Sequence, residues 1–267
     1  MSRKDCRQKH SVISYIKNFD EKEFDYDIVI NLCGEPISCR WSKTKKKEIY
    51  DSRVKITQKL TEKIINSEKT PKLFISGSAI GYYCTSSTQI FQEKTLPTNQ
   101  NLFSQKVCFD CEEAAKIAED KTRLVIIRTG VVIGQNGGII KKMLLPFKLG
   151  LGGKIASGNQ PMSWIHLEDE IGAIIHIINN SNISGVVNLC TESSTTNSEF
   201  SMQLAKSLQR PCLFTIPSLS MKLIYGEMAD ELLLAGQKVY PKTLLESDYR
   251  FKFTKLESAI NQTLSKQ

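Results

Sequence analysis

Three apolar runs in this chain end on residues that could meet a ligand: Asn31-Leu32-Cys33-Gly34, Ser76-Gly77-Ser78 and Arg128-Thr129-Gly130. In open α/β sheets ligands lie beyond the carboxyl ends of the strands, so each ending is a candidate position. The Asn31–Gly34 turn is where a cofactor would pass, although a strand followed by glycine is common. A serine after a strand, such as Ser78, most often satisfies turn backbone. Arg128 could contact an anionic ligand, the cofactor being the candidate, or cap a neighbouring carbonyl. Arg53 differs in kind. Ile49, Arg53, Ile56, Leu60 and Ile64 step by four, three, four and four, which sets a guanidinium on an otherwise apolar helical face. A charge placed there snorkels, pairs with a carboxylate, or meets a cofactor phosphate or ribose.

Other chemistries fit the sequence poorly. Cys108-x-x-Cys111 has no companion pair and no nearby histidine, which favours buried small side chains over zinc or redox work. His10, His166 and His176 are too dispersed for a metal cluster. His166 has no assignable acid-base partner and reads as a hydrogen-bonded structural histidine, while Glu168 or Asp169 is placed to serve as an anion at a helix start. The net charge of +8 could suggest nucleic acid, yet the lysines are scattered and the dense run Lys43–Lys47 reads as a solvated helix face. No apolar run reaches transmembrane length, and Met1–Phe19 is too polar for a signal peptide. A cytoplasmic protein with its eight cysteines reduced is expected, binding neither nucleic acid nor membrane.

The elements that must position these residues follow a βαβ punctuation. Strands are expected at 12–16, 28–32, 72–76, 123–128 and 185–189. Helices are expected near 43–66, 103–119, 138–147, 168–178, 196–208 and 218–235. KLFIS and RLVIIR are nearly all apolar, as parallel strands covered on both faces must be. On the helix 168–178, Ile171, Ile174, Ile175 and Ile178 take the i, i+3, i+4, i+7 positions of a core-facing stripe.

The block RTGVVIGQNGGIIKKMLLPFKLGLGGKIASGNQPMSWIHLEDE (128–170), with INLCGEPI (30–37), ISGSAIGYY (75–83) and GEMADELLLAGQKVYPKTLL (226–245), closely resembles an atypical branch of the extended short-chain dehydrogenase/reductase family. This is the NAD-dependent epimerase, cell-division-inhibitor-like branch with a C-terminal domain of unknown function, and the resemblance runs from about Ser2 to about Ile260. It implies a Rossmann-like doubly wound parallel sheet, N-terminally incomplete, with a smaller C-terminal substrate lobe. The division expected is 1–133 for the dinucleotide domain and 134–267 for the lobe and family-specific domain, with 163–190 returning to the sheet. The implied cofactor is NADP. Ser2-Arg3 matches a Ser/Thr-Arg pair beside the adenosine ribose, where a guanidinium suits a 2′-phosphate. The resemblance also implies backbone contact of Leu32 and Cys33 with the adenosine half, cofactor contact by Glu48 and Arg53, and Ser78 as the catalytic serine orienting a reacting oxygen. Tyr82 and Tyr83 pack near the nicotinamide or simply in the core.

Two departures from the family stand out. The Gly-x-x-Gly-x-x-Gly turn that receives the cofactor pyrophosphate has no counterpart, since the first glycine is Gly34. In the strand order 3-2-1-4-5-6 its loss removes a central strand, leaving Ile28–Leu32 as a bare apolar edge and 11–16 without a neighbour. A start assigned too late, a decayed gene and a different fold are the three explanations. On the first, restoring about 30 upstream residues should yield NADPH binding that this chain has only weakly.

The second departure concerns catalysis. Active relatives use Tyr-x3-Lys, one helical turn apart, so that the ammonium lowers the phenol pKa. None of the eight tyrosines has a lysine four residues on. Phe103 stands at the tyrosine position and Val107 at that of the lysine; Lys106 points about 100° away. Phe103, Val107, Cys111, Ala114 and Ala118 form a packing stripe instead. An epimerase or oxidoreductase-like protein acting on an unknown small molecule, a dinucleotide-binding sensor without turnover, and a remnant that binds no dinucleotide all stay open.

Overall fold

The computed structural model describes residues 24–97, 101–135 and 137–265. The expected strand 12–16 and the candidates Ser2 and Arg3 lie outside them.

Four parallel strands form the main sheet: β1 (Ile28–Asn31), β2 (Leu73–Ala79), β3 (Arg123–Thr129) and β4 (Gly185–Leu189), adjacent in that order. Register runs from Ile28 opposite Leu73 and from Leu73 opposite Arg123, with Val125 opposite Gly185. Apolar residues fill both faces of β2 and β3, as two-sided coverage requires. On one face Phe74, Leu124 and Ile126 meet Leu60 and Ile64 of α2 (Ile56–Asn66) and Ala115 of α3 (Phe103–Lys116). On the other, Ile75, Val125 and Ile127 meet Ala173 and Ile177 of α5 (Leu167–Asn179). Among the described residues β1 has the single neighbour β2. Its Ile28 and Ile30 are 40% and 43% exposed, while Val29 and Asn31 are buried.

The α5 stripe corrects an expectation. Ile171 and Ile175 face outward, 50% and 51% exposed, and the inner face is Ala173 and Ile177 flanked by Ile174 and Ile178. The helix is apolar at so many positions that two stripes are possible. The one containing the small Ala173 packs on the sheet. The stripe on α3 does pack inward, with Val107, Cys111, Ala114 and Ala118 all buried.

The expected helix 43–66 comprises α1 (Lys43–Tyr50), a π-type segment (Asp51–Lys55) and α2. Arg53 therefore sits in a locally widened turn, of a kind that recurs at functional sites. The expected helix 218–235 is cut short: α7 (Ser218–Tyr225) ends at Gly226, whose φ of 61° suits glycine, and a second short turn follows at Ala229–Leu233. α4 (Gly138–Lys148) carries Pro146 near its end. α6 (Asn197–Ser207) starts with a capping box, the Thr196 hydroxyl accepting from Glu199 N while the Glu199 carboxylate accepts from Thr196 N.

α4, α6 and a helix at Leu256–Ser265 that the periodicity did not reveal build a second core around Phe147, Trp164, Phe200, Leu204, Phe253 and Ile260. Asp169 ties this core to the sheet, its carboxylate accepting Lys252 N at 2.7 Å and Phe253 N at 2.9 Å. His166 caps α5, its Nδ1 accepting from Glu168 N, and lies against Phe253. No helix among the described residues is long and apolar enough to cross a membrane.

Candidate functional site

The carboxyl ends of β1, β2 and β3 open into a cleft of about 760 Å³ whose far wall is α4, α7 and the segment 228–237. Leu32, Cys33 and Gly34 form its rim beyond β1. The turn is anchored from below: Asn31 is buried, its Nδ2 donates to Thr57 Oγ1 at 2.9 Å, and its Oδ1 accepts Cys33 N at 3.2 Å. A side chain at Gly77 would put Cβ 2.9 Å from Asn31 O, so glycine is required for β2 to leave the sheet this close to the turn.

Arg53 lines the cleft under Gly34. Its Nη1 donates to Glu35 O at 2.9 Å and to Ile49 O at 3.4 Å. Among the described residues no carboxylate forms an ion pair with it, and burial lowers its pKa from the usual arginine value. A desolvated guanidinium without a carboxylate is suited to an anionic ligand group. Glu48 is not brought to it. That side chain is half exposed and pairs with Lys45 at 3.0 Å on the outside of α1.

Ser78 lines the cleft beyond β2, and its Oγ donates to Glu112 Oε1 at 2.7 Å. Glu112 of α3 is held two-pronged by Arg128, Nε to Oε1 at 2.8 Å and Nη2 to Oε2 at 2.7 Å, with both side chains almost wholly buried. Arg128 Nη1 donates to Tyr83 OH at 2.9 Å, and Tyr83 OH donates to Asn188 Oδ1 at 2.8 Å. The guanidinium also lies 3.4 Å from the centre of the Tyr82 ring. Burial alone would lower the Arg128 pKa; the bonds and charge of Glu112 outweigh it and hold the pKa above its usual value. Arg128 thus meets an internal carboxylate and the Glu93 carbonyl, and Tyr82 and Tyr83 are core residues of this network. Glu112 carries no motif. Its only signal in the sequence is the step of four through Ser104, Cys108 and Glu112 beside the α3 packing stripe.

The positions of the missing Tyr and Lys are apolar in space as well. Phe103 meets Trp41 edge-on at 5.0 Å between ring centres, and Val107 is 2% exposed in the cleft wall. Cys108 and Cys111 line the same wall as free thiols, and burial pushes the Cys108 thiol up to about 12, which makes it a poor nucleophile. Among the described residues no group of His, Cys, Asp and Glu could hold a metal ion.

Two carboxylates on the cleft went unnoticed in the sequence. Glu231, in the segment 226–245, accepts Phe103 N at 3.0 Å and Ser104 N at 2.8 Å and so caps α3. Glu170 takes the Thr129 hydroxyl on Oε1 at 2.9 Å, while its Oε2 is shut from solvent without a partner.

Comparison with known proteins agrees with this architecture. The profile of the NAD dependent epimerase/dehydratase family matches residues 10–190, and that of a domain of unknown function, DUF1731, matches 216–263. The epimerase family protein SDR39U1 of Bos taurus is 37% identical over 90% of this chain and 82% of its own length. An epimerase family protein of Staphylococcus saprophyticus is 36% identical over 97% of this chain and 88% of its own. The crystal structure of human SDR39U1 (isoform 2) with NADPH superposes with a TM-score of 0.89 at 34% identity, covering 93% of this chain and 85% of that one. A profile match across most of the chain, relatives of this identity and a shared parallel sheet with its cleft lead to one conclusion: this chain belongs to the NAD dependent epimerase/dehydratase family.

Proposed function

We propose that this chain binds NADPH across the carboxyl ends of β1, β2 and β3 and holds a small molecule in the apolar cleft beside it, as an epimerase- or oxidoreductase-like protein without the Tyr-x3-Lys pair. The observation that carries the cofactor half is Arg53, a half-buried guanidinium in the cleft wall with no carboxylate in ion-pair contact among the described residues. The described residues fit the adenosine side of a dinucleotide: the Leu32–Gly34 rim offers backbone and Arg53 offers charge. Bound NADPH would supply a hydride. This chain's own residues would bind and orient, with Ser78 facing the small molecule. The likeness to a structure solved with NADPH supports the choice of that cofactor. The seven described cysteines are all free thiols, in keeping with a reducing compartment such as the cytoplasm.

A second reading, a dinucleotide sensor that does not turn over, is favoured by Phe103 and Val107, which cannot move a proton. Fluorescence titration tests the first point. NADPH should bind more tightly than NADH, and Arg53→Met should weaken it about tenfold, the value of one charge-assisted contact. An unchanged affinity in Arg53→Met would remove Arg53 from the cofactor site, and no NADPH binding at all would remove the cofactor assignment. Steady consumption of NADPH with a pool of small carbonyl compounds, or reduction of NADP with a pool of small alcohols, would favour the enzyme, and binding without turnover the sensor.

A further inference from the structure

We infer that the group this cleft receives at Ser78 is a hydrogen-bond donor, an alcohol or amine of the bound small molecule, and not a carbonyl or carboxylate oxygen. The inference rests on the cleft being a small-molecule site, as proposed above. Its basis is the direction of one proton. Ser78 Oγ and Glu112 Oε1 are 2.7 Å apart, and only the serine has a proton to give, because both oxygens of Glu112 already take N–H groups of Arg128 in an ion pair. The serine hydroxyl is therefore aimed away from the cleft, with its lone pairs left toward it. No other described group donates to Ser78 Oγ.

Turning the proton toward a ligand oxygen would take a charge-assisted bond from a carboxylate that has no water to replace it. Glu112 cannot follow the ligand either, since Arg128 is fixed in turn by Tyr83, the Glu93 carbonyl and the face of Tyr82. The neighbouring hydroxyls of the wall repeat the pattern. Thr129 Oγ1 donates to Glu170 at 2.9 Å, and the fully buried Ser163 Oγ donates to the carbonyl of Gln237 at 3.0 Å while accepting Val239 N at 2.9 Å, so neither offers a proton to the cleft. Phe103 and Val107, where relatives would offer a phenol and an ammonium, add no donor. Of an alcohol and its ketone, Ser78 selects the alcohol.

Two measurements test this. Neutron diffraction from deuterated crystals should place the Ser78 deuteron on the line to Glu112; a deuteron pointing into the cleft overturns the inference. Protein-observed NMR titration with cyclohexanol and cyclohexanone should show the alcohol bound about fivefold more tightly, the usual worth of one neutral hydrogen bond, with Ser78→Ala abolishing the difference. Equal or tighter binding of the ketone, or a preference that survives Ser78→Ala, also overturns it. If neither probe shifts cleft residues, the small-molecule reading of the cleft falls and this assignment falls with it. Loss of NADPH binding with the alcohol preference intact would sink only the cofactor half of the proposed function.

Discussion

Replacing Arg128 with methionine should lower the unfolding free energy by about 3–5 kcal/mol, the cost of leaving one partner of a buried ion pair behind. The pair is nearly sealed from solvent, at 3% side-chain exposure for Arg128 and 0% for Glu112. Without the guanidinium the Glu112 carboxylate keeps the Ser78 hydroxyl but loses two charge-assisted bonds, and Tyr83 OH loses its donor. Urea denaturation should show a fall in midpoint with an unchanged slope. The double variant Arg128→Met, Glu112→Met should recover much of the loss, because a matched apolar pair leaves no buried charge. A loss below about 1 kcal/mol in the single variant would place the pair among ion pairs of surface strength and undercut its part in orienting Ser78.

Glu170→Gln should stabilise the protein increasingly as pH rises from about 4.5 to 7, and fully above that. Burial pushes the Glu170 carboxyl up to about 7, against a weaker opposing pull from the Thr129 hydroxyl. The folded chain then holds its proton over a range where the unfolded chain has released it. Below about pH 4.5 both states are protonated and the carboxyl costs nothing; between there and 7 the cost grows, and above 7 it is complete. A rise of this size sets a ceiling of about 3 kcal/mol. Glu170 as a whole is only half-buried although its Oε2 is shut from solvent, so the gain on removing the charge should fall nearer ~1–2 kcal/mol. Glutamine keeps the shape and an acceptor for Thr129. Thermal unfolding at pH 5 and pH 8 provides the check: equal effects at both would show that Glu170 titrates as an ordinary exposed carboxyl.

Both predictions concern residues that one dimension hides in different ways. Arg128 was visible as a charge at the end of an apolar strand, and the sequence left open an anionic ligand or a neighbouring carbonyl. The two readings cannot be separated until the rotation of α3 is known, because its main partner, Glu112, lies 16 residues earlier on that helix and is identified only by which side faces β3. Glu170 looks like an ordinary charge in the first turn of α5. Its environment depends on how that helix rolls against the sheet, and the abundance of isoleucines in α5 makes the roll unreadable from periodicity. Glu231 is hidden for another reason: its partners, Phe103 N and Ser104 N, are backbone groups 128 and 127 residues away.

By itself the sequence determined the parallel sheet, through apolar runs at β2 and β3 that only strands covered on both faces can bury, and the absence of a proton-moving Tyr-Lys pair, which is a matter of residue identity and spacing. It also marked Leu32, Cys33, Arg53 and Ser78, which line one cleft because strands in parallel register deliver all their carboxyl ends to the same edge. The tertiary structure alone decided what each polar group does there. A hydrogen bond is satisfied across space within about 3 Å, without regard to distance along the chain. That is why Arg128 turned inward to Glu112, Glu48 outward to Lys45, and the proton of Ser78 away from the cleft it borders.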